Sequence, residues 1–287
     1  MNVPLASVVI PAHNEEAVLG RCIRVLLAGS TPGELDVVVV ANACADHTAE
    51  IAREAGVRVV ETSTPGKANA LRLGDAECVT FPRIYADADI ELESSSARAL
   101  VSALDGSDAL AAAPVPTWDL VGASGPARRV HRVHEQLMAP RRALAGVGVY
   151  VLTEDGHRRI FPLPDVLSDD GLVHRSFAAD ERLVVAEAPV VVRPARTLRA
   201  HLRRRIRVRQ GNRQLDALGL RAPEGRIRLR SLSRLVAERS VSALDAVFYL
   251  GILVIDLVMT RWTGASVVWS TDATSRRALI TSEGPQA

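Results

Sequence analysis

Asp87 and Asp89 stand one residue apart, just after an apolar stretch that ends near Ile84. Two carboxylates so spaced at a strand end can share one divalent cation. Their hard oxygens suit Mg²⁺ or Mn²⁺, and such a cation neutralises a diphosphate. Lys67 follows Gly66 at the start of a helical pattern, where a basic side chain and free backbone N–H groups can face a phosphate. A solvated lysine is the plain alternative. The run Arg203 to Arg213 offers guanidinium groups that can hold the same anion. A second acidic pair, Asp169-Asp170, lies between Ser168 and an apolar Leu172-Val173, a good helix-capping sequence.

These residues need elements to position them. Ser7–Pro11 reads as a buried strand, and Glu15–Leu27 has helical spacing with Val18, Cys22, Val25 and Leu26 on one face. Residues 36–41, which include four successive valines, suit a strand buried on both faces. Residues 46–55 are helical, 57–61 strand, 66–76 helical and 82–86 strand. Apolar strands alternating with helices predict an α/β fold with a mostly parallel sheet flanked by helices. Ligands sit at the carboxyl ends of strands in such sheets. Asp87-Ala88-Asp89 lies at one such end, as do Pro11–Glu16 and Asn42–Asp46. The second half is less regular. Strands are expected over 109–114, 146–152 and 183–192, and a very basic helix over 196–218. Pro223 and Gly225 break it, and a further helix is expected from about Leu229 to Trp262.

Composition narrows the class. The 287 residues are 48% hydrophobic and only 3% aromatic, enough for a core packed with Val, Leu, Ala and Ile. A net charge of +2 does not point to nucleic acid, although arginines crowd between Arg193 and Arg239. Lys67 is the sole lysine. Cys22, Cys44 and Cys78 form no metal-binding spacing and read as reduced thiols. No basic-then-apolar leader precedes the first strand, so a cytoplasmic protein is expected, with the inner face of the cell membrane as an alternative site.

Five segments in order resemble the family 2 glycosyltransferases, inverting enzymes of the GT-A fold: residues 8–16 (VVIPAHNEE), 42–48 (NACADHT), 66–74 (GKANALRLG), 87–89 (DAD) and 164–171 (PDVLSDDG). The resemblance covers roughly residues 5–215. It implies transfer of a sugar from a nucleotide-diphospho sugar to an acceptor hydroxyl with inversion. It places Pro11, Ala12 and Glu15 beside base and ribose, Asp87 at the ribose with a share in the metal, and Asp89 on Mn²⁺ or Mg²⁺. Asn42 stands where the family usually has an acidic residue that pairs with the base. An amide both donates and accepts, so base recognition survives with altered preference. Lys67, Arg209 and Arg213 would meet phosphate. Asp169 and Asp170 correspond to the family's general-base pair, with Asp170 favoured as the base. Gln210 and Arg213 match a processive motif only in part, and its Trp is absent. His201 is expected at the surface. A retaining GT-A enzyme and a degenerate sugar-nucleotide-binding module are the rival readings.

The expected organisation is a catalytic domain over 1–218, with a nucleotide-sugar half to about 115 and an acceptor half from 116. A helical segment follows over 219–287. Within it Ala246–Met259 is apolar except for Gly251 and Asp256. Fourteen helical residues reach about 21 Å, short of the ~30 Å hydrocarbon core. Peripheral membrane contact, which would suggest a lipid-linked acceptor, is therefore expected rather than a span, with a homodimer contact or packing on the catalytic domain as the alternatives.

Overall fold

The computed structural model describes residues 3–221 and 229–262. The chain begins with β1 (Ala6–Ala12), α1 (Leu19–Leu27), β2 (Leu35–Asn42), α2 (Thr48–Glu54), β3 (Arg58–Thr62), α3 (Lys67–Ala76) and β4 (Arg83–Ala86). It continues with β5 (Glu91–Leu92), α4 (Ser94–Asp105), β6 (Ala111–Trp118), α5 (Gly125–Met138), β7 (Val149–Leu152), α6 (Glu154–Ile160), α7 (Asp169–Ser176) and β8 (Arg182–Val192). Three helices close it: α8 (Leu198–Ala217), α9 (Leu229–Ala237) and α10 (Ala243–Trp262).

The eight strands make one sheet in the order β3-β2-β1-β4-β7-β6-β8-β5. β1, β2, β3 and β4 are mutually parallel, and β6 pairs parallel with β8. β7 runs antiparallel to both β4 and β6, and β5 to β8. The sheet is thus mixed, and its parallel half is the part the alternating sequence pattern predicted. Val37 to Val40 are at most 5% exposed, as a strand covered on both faces requires. One face packs on α1 and α4 through Leu19, Ile23, Leu26 and Leu100. The other carries Leu71, Tyr85, Tyr150, Leu172 and Leu215.

Several boundaries differ from the sequence expectation. The first helix starts at Leu19 rather than Glu15. Its approach is a turn with Asn14 at φ +53°, in which the Glu15 N–H donates to Thr48 Oγ1 at 2.8 Å and the Glu16 N–H to Asp46 Oδ2 at 3.1 Å. Bonds to the β2–α2 loop there replace helical ones. The strand expected from residue 146 begins at Val149, because Gly146 (φ +91°) and Gly148 (φ +80°) are a turn. The helix expected over 229–262 is two helices, separated at Arg239 (φ +58°) and restarted where Ser242 Oγ accepts the Asp245 N–H at 3.0 Å. Pro223 and Gly225 lie outside the described residues.

The short-helix argument against a membrane span also changes. α10 has 20 residues, about 30 Å at ~1.5 Å per residue. It is the one helix among the described residues long and apolar enough to cross a membrane. Its inward face packs with α5 and α9 through Val130, Val133, Leu232, Ala246, Tyr249 and Ile252.

Candidate active site

β4 delivers Asp87 and Asp89 to the carboxyl edge of the sheet, and β1 delivers Pro11 and Glu15 beside them. α7 starts at Asp169 and brings the second acidic pair to the same place. Together with Lys67, Gly148, Arg193, Arg204 and Arg207, these residues line a cleft open to solvent. Carboxylates 80 residues apart in sequence thus share one cleft.

Lys67 lies between the two acidic pairs. Its Nζ is 2.6 Å from Asp87 Oδ1 and 2.9 Å from Asp169 Oδ1. Burial disfavours its ammonium, but Asp169, Asp87 and Asp170 outweigh that and hold it firmly protonated. The chain's only lysine is therefore a fixed positive charge at the centre of the site, not a solvated side chain.

The neighbours Asp169 and Asp170 differ in basicity. Asp169 is 4% exposed, and burial, with Asp170 and Asp87 nearby, raises its pKa despite Lys67. Asp170 is half-buried. Burial pushes it up too, but Lys67 and three donors bring it below the ordinary carboxylate range. Those donors are the Gly146 N–H at 2.7 Å, Ser168 Oγ at 2.8 Å and the Gly171 N–H at 2.7 Å. Ser168 also caps α7, so the capping arrangement and a presented carboxylate coexist.

Gly148 sets how closely the β7 turn approaches Asp87. Its carbonyl accepts the Asp87 N–H at 2.8 Å. A Cβ there would stand 3.0 Å from both Asp87 Oδ2 and Ile90 Cγ1, on a backbone at φ +80°. The glycine serves a close approach to a carboxylate. Gly148→Ala is expected to cost about 1–3 kcal/mol through backbone strain and to displace Asp87. A thermal melt and a donor titration test this; unchanged melting temperature and affinity together would refute the strain.

Not every expected residue reaches the cleft. Ala12 is fully buried. Asn42 is also fully buried, and its Nδ2 donates to the Gly66 carbonyl at 2.9 Å, bracing the start of α3 below Lys67. Arg213 is exposed and lines no part of the cleft. Arg209 turns away to α10, its Nη2 2.7 Å from Asp256 Oδ2, where Arg205 Nε also binds at 3.0 Å. Helical phase decides this: residues 204, 207 and 208 share one face of α8, and 205 and 209 another. Arg204 and Arg207 were not singled out, although the basic run flagged their neighbourhood. His201 is buried, not at the surface. It meets the His131 ring edge-on at 5.1 Å, and burial pushes it down to about 3. Tyr150, also unforeseen, lies beneath the site with its buried hydroxyl beside Lys67, Asp87 and Asp169. The strand that carries it was expected over 146–152, but nothing in the sequence marked this side chain.

Among the described residues no three His, Cys, Asp or Glu side chains converge as metal ligands. The available donors are the Asp89 and Asp87 carboxylates. One or two carboxylates completed by phosphate oxygens and water are a sufficient set for Mg²⁺ or Mn²⁺, so the residues present fit such a cation.

Known proteins share parts of the chain's sequence and its fold. Residues 7–145 match glycosyl transferase family 2. Over 98 residues the chain is 36% identical to 4,4'-diaponeurosporenoate glycosyltransferase of Staphylococcus haemolyticus (strain JCSC1435). That stretch is 32% of this chain and 26% of the relative, so the chain spans about a quarter of the curated relative it matches. Among solved structures, it is similar to mannosyltransferase PcManGT from Pyrobaculum calidifontis in complex with GDP-Man and Mn²⁺, at TM-score 0.60 and 19% identity, covering 92% of this chain and 76% of that one. It is also similar to glucosyl-3-phosphoglycerate synthase from Mycobacterium tuberculosis in complex with Mn²⁺, UDP-glucose and phosphoglyceric acid, at TM-score 0.54 and 21% identity, covering 76% and 81%. The fold is the GT-A fold of these neighbours.

Proposed function

With a glycosyl transferase family 2 region over residues 7–145, we propose that the protein moves a sugar from a nucleotide-diphospho sugar to an acceptor hydroxyl with inversion. The observation that carries this is the convergence of both acidic pairs on Lys67 in one cleft edged by Arg204 and Arg207. The relatives' printed names, which include a glycosyltransferase and structures with GDP-Man or UDP-glucose, support a nucleotide-sugar donor.

In this reading Pro11 and Glu15 flank the nucleoside. Asp89, with Asp87, would hold Mg²⁺ or Mn²⁺, which supplies charge neutralisation of the diphosphate. Lys67, Arg204 and Arg207 add fixed positive charge near the departing phosphate. Asp170 takes the proton from the acceptor hydroxyl as its oxygen bonds to the anomeric carbon. The bond from that carbon to the phosphate oxygen breaks, and the electron pair leaves with the nucleoside diphosphate. Attack from the face opposite the leaving group inverts the centre. Asp169 keeps Lys67 in place and balances its charge.

The test is thermal stabilisation by UDP, GDP, dTDP and CDP, each with and without Mn²⁺. One nucleotide raising the melting temperature only with metal is expected; at a hundred times its dissociation constant the gain is about 2.7 kcal/mol. No shift with any of the four would overturn the donor assignment. The product anomer then separates inversion from retention.

A further inference from the structure

α10 carries a surface that sugar transfer does not use. A helix facing water keeps its polar residues outward. Here the order is reversed. Tyr249, Asp256 and Thr260 point inward and are at most 3% exposed. The outward positions are Leu244, Val247, Val254, Ile255, Leu257 and Val258, each 45–67% exposed, with exposed Gly251 among them. From Leu244 to Val258 this aliphatic row runs about 21 Å at ~1.5 Å per residue. Contiguous apolar surface of that kind marks an interaction site.

Charge identifies the partner. The four helices of this layer, α5, α8, α9 and α10, carry thirteen arginines against four carboxylates. The whole chain is only +2, so the layer presenting the aliphatic row is also the cationic part of the molecule. Arg230, Arg239 and Arg261 are exposed on or next to α9 and α10. Interface cores between proteins favour aromatic residues, Met and arginine, whereas this row is aliphatic, with Met259 alone beside its end. An aliphatic helix face amid arginines matches an anionic lipid surface, with the helix lying in the headgroup plane.

We propose that the outward face of α10 docks on an anionic bilayer. Asp256, fully buried and held by Arg205 and Arg209, clamps α10 to α8. α8 also carries Arg204 and Arg207 of the cleft, so docking would set the site at a fixed place relative to the membrane. The inference does not depend on which nucleotide binds, or on whether transfer occurs.

The experiment is flotation of the full-length protein with vesicles of phosphatidylcholine alone or with one quarter phosphatidylglycerol, beside the variant Val247→Glu/Val254→Glu/Val258→Glu. These side chains are exposed, so the variant is expected to keep its melting temperature. Wild type is expected to float with the anionic vesicles at least tenfold more than with the neutral ones, and the variant to lose this. Equal flotation on both vesicles would overturn the charge argument, as would wild-type binding that the variant retains. No flotation, with a dimer in light scattering that the variant breaks, would assign the face to a second copy instead. No flotation and a monomer would also overturn the proposal. If the variant melts early, Val254→Glu alone replaces it with the same readouts.

Discussion

Asp89→Ala is expected to abolish turnover and, with it, the metal-dependent part of nucleotide binding. The cleft offers the cation few protein ligands, because no third His, Cys, Asp or Glu joins Asp87 and Asp89 among the described residues. Asp87 is already committed to Lys67 through Oδ1 at 2.6 Å. Losing Asp89 would leave an incomplete site at which diphosphate and water cannot hold the ion in place. Metal stabilisation of developing phosphate charge is worth several kcal/mol, and each ~1.4 kcal/mol is tenfold in rate. A loss of at least about 10³-fold in kcat/KM follows. Titration of the nucleotide with and without Mn²⁺ provides the check that activity alone cannot: in Asp89→Ala the two affinities should become equal. A variant that still binds nucleotide more tightly with metal would move the metal away from Asp89.

Asp170→Asn should separate binding from chemistry. The amide keeps the shape, and its one oxygen can still accept from Ser168 and Gly171; the NH2 group in place of Oδ2 loses the Gly146 bond, and the amide cannot take a proton. General-base catalysis contributes roughly 10²–10⁴-fold, so kcat should fall by that factor while nucleotide affinity stays within about twofold. Joint loss of transfer and binding would contradict this division of roles. The pH profile provides a second test. Lys67 and three hydrogen bonds hold Asp170 below the usual carboxylate range. Its basic form therefore persists as pH falls, and the acid limb of kcat/KM should lie below the ~3.9 of a free aspartate. Asp169 is shifted the other way by burial. Were Asp169 the base, the proton would return sooner and the limb would lie above that value.

The first half of the fold was legible because its signals are local. A run such as Val37 to Val40 suits only a strand covered on both faces, and its alternation with helical spacing implies parallel pairing. The acidic pair after β4 was legible for the same reason, since a strand end in such a sheet is a ligand edge. α4 and α5 went unrecognised. α4 opens on three serines, and α5 is rich in Arg and His with few apolar residues. Their stability comes from faces buried against the sheet and against α10, which no local window shows. The partner of Asp256 was equally hidden. An acidic residue in an apolar helix gives no hint of arginines 47 and 51 positions earlier.

By itself the sequence determined the α/β alternation, the two acidic pairs, the single lysine and a resemblance to the family 2 glycosyltransferases. Each rests on residue type and short spacing, and each survives folding because burial periodicity is a property of neighbouring residues. Only the tertiary structure decided that Lys67 joins the pairs, that Arg204 and Arg207 rather than Arg209 edge the cleft, and that Asn42 braces α3 from beneath. It also set Asp169 and Asp170 apart in basicity and turned the aliphatic row of α10 outward. These depend on which helix face meets which neighbour and on how far each charge is drawn from water. Those are distances between residues remote in sequence, and electrostatic energy is set by distance and burial rather than by order along the chain.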